Sequence, residues 1–169
     1  MANVLEDLLD ALEDVDDATR EEAAQTLAGL GDPTTLDALI NACNDDFWSV
    51  RAHAGCGIAK IGGPKAVEAL VGLFNDPIME VRDQAVEATA KIGPIVLDRL
   101  VTAMKDERWR VREHAAKAAG KIKDSGTVDA LIGACRDRDG AVKSAAAEAL
   151  GRIADAKAIP ALIKLFRDS

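Results

Sequence analysis

The densest chemistry in the chain lies between Asp45 and Cys56, in the run DDFWSVRAHAGC. It holds carboxylates, an indole, a guanidinium, an imidazole and a thiol. His53 precedes Cys56 by three residues, which places the two side chains on neighbouring parts of one helix face. An imidazole beside a thiol can lower its pKa and raise its reactivity. Cys56 is therefore either a redox-sensitive contact spot or a surface cysteine without a role. Gly55 and Gly57 flank it, and each weakens a helix by about 1 kcal/mol relative to alanine. That face is expected to be locally loose.

Sixty-one residues later the run returns as DERWRVREHAAKA, with Asp, Trp, Val, Arg, His and Ala in the same register. His53 and His114 match, but two stacked repeats would hold them roughly 20 Å apart. One metal ion cannot bridge that gap, and both histidines are expected to be half-buried on helix flanks. Nothing resembles a nucleophile with its base, a phosphate loop or a metal-binding cluster, so neither metal nor cofactor is expected.

The duplicated run belongs to a longer array. Aligned on Arg20, Arg51, Arg82, Arg112 and Lys143, the chain repeats at spacings of 31, 31, 30 and 31. Six residues before each lies an aspartate: Asp14, Asp45, Asp76, Asp106 and Asp137, with Asp168 where another unit would begin. Asp at this point suits a helix N-cap. A first helix follows, with Val50, Ala54, Ile58 and Ile61 on one face in the second unit and Val81, Ala85, Thr89 and Ile92 in the third. Gly-Pro breaks at 31–33, 62–64 and 93–94 end it. A second helix carries Leu36, Leu39, Ile40 and Cys43, a pattern that continues to Ile159, Leu162, Ile163 and Phe166. Leu5, Leu8, Leu9 and Leu12 fit the same template, so a lone helix opens the chain. The expected organisation is one domain over 1–169: a capping helix at 1–13, then repeats 14–44, 45–75, 76–105, 106–136 and 137–167. One hairpin cannot bury its apolar face alone, whereas stacked neighbours can.

The pattern D-x-x-W-x-V-R-x-x-A, followed by A-L-G-x-I and A-L-I, resembles the short HEAT-like repeats of the phycobilin-lyase type. Residues 145–168, AAAEALGRIADAKAIPALIKLFRD, match it best. The resemblance implies an all-α fold, a right-handed α-solenoid of about five 31-residue repeats plus one N-terminal helix. It also implies that Asp and Arg hydrogen-bond within and between adjacent units. The second helices would line the concave face, where solenoids usually bind partners.

That face carries an acidic row, Glu6, Asp37, Glu68, Asp98 and Asp129, with Pro160 ending it. Acids in the first helical turn are favoured by the macrodipole, and they remain available to a basic helix or tail. Asn41, Gly72, Thr102, Gly133 and Lys164 adjoin them and describe a shallow groove. Trp48 and Trp109 begin the first helices of their units, either covering a loop or serving as contact hot spots. The expected function is a non-enzymatic protein-binding scaffold, with Asp37, Asn41, Glu68, Asp98, Thr102 and Asp129 meeting the partner. Trp48, Trp109, His53 and Cys56 are the further surface candidates. The resemblance also implies an alternative, a lyase or chaperone-like accessory protein.

The net charge of −8 argues against general nucleic-acid binding. Residues 105–169 nevertheless hold fourteen basic and ten acidic groups. Arg108, Arg110, Lys117 and Lys121 thus form a weaker candidate anion surface. No apolar run reaches membrane-spanning length and no signal pattern opens the chain, so a cytoplasmic protein is expected. The three cysteines lack CxxC spacing. At the C-terminal end AIPALIKLFRDS follows the internal template without a polar outer face, and an uncapped repeat tends to associate. Sedimentation velocity is therefore expected to show weak self-association that grows with protein concentration. A monomer independent of concentration would remove that expectation.

Overall fold

The computed structural model describes residues 4–167, and among these there are helices and turns but no strand. Eleven α-helices follow in order: α1 Val4–Ala11, α2 Asp17–Leu30, α3 Leu36–Ala42, α4 Trp48–Ile61, α5 Pro64–Leu73, α6 Met79–Ile92, α7 Leu97–Ala103, α8 Trp109–Ile122, α9 Val128–Ala134, α10 Gly140–Ile153 and α11 Ile159–Arg167. Single 3-10 turns at Pro33–Thr35, Pro94–Val96, Ser125–Thr127 and Ala156–Ala158 lead into α3, α7, α9 and α11. None of the helices is long and apolar enough to cross a membrane. The backbone divides into two compact units, Met1–Ala88 and Thr89–Ser169.

Long and short helices alternate. The even-numbered ones have fourteen residues each, whereas α3, α7 and α9 have only seven. A seven-residue helix is not stable alone in water, so these must be held by packing. In the first unit α2 and α4 pack together, with α3 and α5 against α4. In the second unit α8 packs on α10, with α7 on α8 and α9 on α10. The periodic positions supply the core: Val50, Ala54, Ile58, Leu39, Leu70 and Phe74 in the first unit, and Val111, Val142, Leu150, Leu100 and Leu131 in the second are buried. The side chain of Phe166, expected in the core, and all of Asp168 lie outside what the structure describes.

Small residues let the long helices approach closely. A Cβ on Gly57 would lie 2.9 Å from Leu39 Cδ1 and 3.0 Å from Ala28 Cα, and one on Gly55 would lie 2.9 Å from Leu73 Cδ1. These glycines therefore mark tight contacts, which corrects the expectation of a loose face around Cys56. In the second unit the matching contact is tighter still: a Cβ on Gly120 would lie 2.7 Å from Ala149 Cα. The long helices end in left-handed residues, Gly31 at φ 63° in the first unit but Lys123 at φ 60° and Ala154 at φ 57° in the second. Non-glycine residues pay a conformational cost there.

The repeated aspartate and arginine join neighbouring hairpins. Arg20 donates to Asp45 at 2.7 and 3.0 Å, Arg51 to Asp76 at 2.6 and 2.9 Å, and Arg112 to Asp137 at 2.7 and 2.8 Å. Each partner lies 25 residues ahead. The remaining guanidinium nitrogen turns back on its own unit: Nη1 of Arg20, Arg51, Arg82 and Arg112 donates to the carbonyl oxygens of Asp14, Asp45, Asp76 and Asp106. One arginine thus ties its own loop and the next. The aspartates are not N-caps. The Asp14, Asp45, Asp76, Asp106 and Asp137 carboxylates accept from backbone N–H groups two residues on, closing turns ahead of the helix. The actual N-cap positions are Asp16, Phe47, Arg108 and Asp139 for α2, α4, α8 and α10.

Hydrogen bonds and charge outweigh burial in setting the electrostatics of these joints. The Arg112 hydrogen bonds hold the Asp137 carboxyl below the usual carboxylate range, against the opposing effect of burial. For Asp45 burial is the largest influence and pushes upward, but the Arg20 and Phe47 hydrogen bonds together with the Arg20 and Arg51 charges outweigh it. Asp106, gripped twice by the Arg108 guanidinium, is pushed down to about 2. A carboxyl depressed in the folded state contributes stability that is fully present above its unfolded value near 4 and is lost as pH falls through the folded value.

Two outcomes follow from this packing. Gly120→Val forces α8 and α10 apart and lowers stability by about 1–3 kcal/mol in urea unfolding. Asp137→Asn strands the Arg112 charge and costs roughly 2–3 kcal/mol at pH 7. The latter gap shrinks below pH ~4, because the wild-type carboxyl then protonates too. Urea unfolding at a series of pH values measures the gap; one that stays constant down to pH ~2 contradicts the assignment of these joints.

Candidate functional site

The short helices present the acidic positions to solvent. In the first unit Asp37 and Asn41 on α3 and Glu68 on α5 are exposed, as is Gly72. In the second unit Asp98 and Thr102 on α7 and Asp129 and Gly133 on α9 are exposed. Asp37, Asp98 and Asp129 stand in the first turns of their helices, where the dipole favours a carboxylate. Glu68 departs from this pattern. No 3-10 turn precedes α5, which starts at Pro64, so Glu68 falls beyond its first turn. Glu6 is exposed in the first turn of α1.

In each unit a lysine pairs with one of these acids. Lys65 Nζ lies 2.8 Å from Asp37 Oδ1, and Lys157 Nζ lies 2.7 Å from Asp129. The side chains in the first pair are 68% and 77% exposed, those in the second 61% and 75%. Pairs so open to water hold by about 0–1 kcal/mol and exchange readily with another cation. Each lysine stands 28 residues beyond its acid, a spacing present in the sequence but not read as a contact. Thr102 Oγ1 donates to the Asp98 carbonyl oxygen at 3.0 Å, which fixes its hydroxyl onto its own helix.

A groove of about 450 Å³ opens between α7 and α9, lined by Val101, Met104, Ala130, Gly133 and Ala134 together with the charged Lys105, Asp129 and Asp137. Its walls are mostly apolar, and of the acidic positions Asp129 lines it. A Cβ added to Gly133 would meet nothing within 4 Å.

The other surface candidates separate from this face. Trp48 and Trp109 are each 39% exposed. Trp48 packs beside Phe47, with ring centroids 6.3 Å apart, and the Arg110 guanidinium lies 5.0 Å above the Trp109 ring. Cys56 is exposed, as its polar counterparts imply, and its Sγ lies 3.7 Å from Gln84 Oε1. His53 is half-buried, with Nε2 3.7 Å from Glu21 Oε1, the oxygen that also accepts from Ser49 Oγ. His114 is not its equivalent: it is only 2% exposed. Its Nδ1 lies 2.7 Å from the Arg110 carbonyl oxygen and 3.6 Å from Glu113 Oε2, so the ring folds onto its own helix. Cys43 and Cys135 are buried, and burial pushes the Cys43 thiol up to about 12, which leaves it a packing residue. Among the described residues no group of three or more His, Cys, Asp or Glu converges as metal ligands would. The basic candidates are partly neutralised, Arg108 by Asp106 at 2.9 Å and Lys117 by Glu113 at 2.7 Å.

Comparison with known proteins places the fold. A chain from a structure of microtubule plus-end tracking by XMAP215, CLIP-170 and EB1 is similar at a TM-score of 0.73 and 16% identity, over 96% of this chain and 89% of that one. The CpcE–CpcF complex of phycocyanin lyase from Nostoc sp. PCC7120 is similar at 0.56 and 22%, over 88% and 64%. A designed armadillo repeat protein in complex with the peptide (KR)4 is similar at 0.50 and 21%, over 90% and 82%. No curated protein matches. These likenesses show an α-solenoid fold and nothing finer. The model of HEAT repeats matches residues 5–90 and 97–169. Nearly the whole chain is thereby accounted for, and the protein belongs to the HEAT-repeat family.

Proposed function

We propose that this protein is a non-enzymatic scaffold of five HEAT repeats that binds a basic, extended segment of a partner protein on the face of its short helices. One observation carries the reading. In each unit the acids of this face are solvent-exposed, and the lysines that reach Asp37 and Asp129 hold them through open surface pairs. A ligand with several cations competes for such acids at little cost, because the displaced lysine returns to water. Asn41 and Thr102 add small polar contacts beside them. The similar designed armadillo protein, whose partner is an alternating Lys-Arg peptide, supports the choice of a basic ligand.

Self-association is a separate contact. Ile159 and Ile163 on α11 are 53% and 49% exposed, whereas Val128, which occupies the position of Ile159 one repeat earlier, is 2% exposed. Apolar side chains left open in this way favour a partner copy over water.

A fluorescently labelled alternating Lys-Arg octapeptide tests the main reading by anisotropy. Binding is expected to weaken as salt rises. The combined variant Asp37→Lys, Glu68→Lys, Asp98→Lys and Asp129→Lys is expected to lose at least about tenfold in affinity. Equal binding by variant and wild type would refute the assignment. Binding insensitive to salt would move the contact to Trp48, Trp109 or another apolar patch.

A further inference from the structure

We infer that the groove between α7 and α9 is a socket for one aliphatic side chain of the partner segment, with a neighbouring basic residue of that segment meeting Asp129. The inference rests on the reading of the short-helix face as the binding face, and it adds what the acids alone do not supply, a side-chain preference.

Gly133 is the central observation. Glycine is the poorest helix former after proline, so it weakens a helix except where a close contact requires it. Within the same unit Gly120 shows such a requirement, because a Cβ there would strike the Ala149 backbone at 2.7 Å. At Gly133 no such requirement exists: a Cβ would meet nothing within 4 Å, and the residue is exposed as the last but one of α9. Nor does it have the left-handed backbone that glycine favours. Internal packing therefore does not call for glycine here. What the missing side chain does is leave the groove open.

The lining specifies the occupant. Val101, Met104, Ala130 and Ala134 offer apolar surface, and the methionine thioether adapts to different aliphatic shapes. The groove's 450 Å³ is in the lower part of the range for ligand sites, room for a side chain and its backbone but not for a helix. Charge gives the occupant a direction. Asp98 and Asp129 stand in the first turns of α7 and α9, whereas Lys105 follows the end of α7. A cation beside the buried side chain is attracted at the helix starts and repelled at the Lys105 end. Asp137 is held by Arg112 and does not compete for it.

Two peptides, KRKRLKRKR and its counterpart with glycine for leucine, test this by anisotropy against the full chain. The wild type is expected to bind the leucine peptide about tenfold more tightly. Gly133→Trp puts an indole where a Cβ would meet nothing within 4 Å, and it should erase that preference. Gly133→Ala should melt higher than the wild type and keep the preference. Equal binding of both peptides by the wild type overturns the socket and leaves the acidic face standing. Failure of both peptides to bind overturns the acidic face and the socket with it. The wild-type ratio does not depend on any variant folding, so a poorly folded Gly133→Trp would not obscure the result.

Discussion

The joints of Arg20, Arg51 and Arg112 each divide one guanidinium between two loops. Nε and Nη2 grip the aspartate of the next repeat, and Nη1 takes a carbonyl oxygen of its own. The fork geometry makes the division possible, because five donors sit in a fixed plane. The aspartate is equally occupied, since while bound to arginine it also accepts a backbone N–H two residues on. Short helices of seven residues depend on this arrangement. They cannot persist in isolation, and the joints deliver them to a long helix already oriented.

With the joints carrying the stacking, the outer positions of the short helices are free to vary. The core side of α9 holds Val128, Leu131 and Ala134, while its outer side holds Asp129 and Gly133. Neither of the outer two contributes to the buried layer. The same division holds on α3, where Leu39 is buried and Asp37 and Asn41 are open. A face relieved of structural duty in this way can take on recognition by small changes, a carboxylate here or a missing side chain there.

Periodic features are legible in the amino-acid sequence. Helix positions, repeat phase and the buried stripe follow from apolar spacing, and spacing is written in the chain. Cys56 is legible as exposed for the same reason, because its counterparts Gln25, Glu87, Lys117 and Glu148 are polar. Features that depend on a partner residue are not legible in this way. The aspartate before each long helix has the composition of an N-cap, and only the backbone shows that it acts two residues too early for that role. His53 and His114 share a position yet differ in burial, since one leans toward Glu21 and the other onto the Arg110 carbonyl. Gly55 and Gly57 have the composition of weak points, and the side chains of Leu73, Leu39 and Ala28 turn them into tight ones. The groove at Gly133 is the hardest to read, because it consists of an atom that is not there.

In the joints of Arg20, Arg51 and Arg112 the arginine and its aspartate lie 25 residues apart and never in the same repeat. Copying or losing one complete period in a gene therefore leaves every such joint matched, as the new neighbour presents the same acid to the same base. A duplication that is not a whole number of periods would leave a guanidinium facing the wrong loop. Such an array can lengthen or shorten by recombination in whole steps, and each step adds or removes one segment of binding surface.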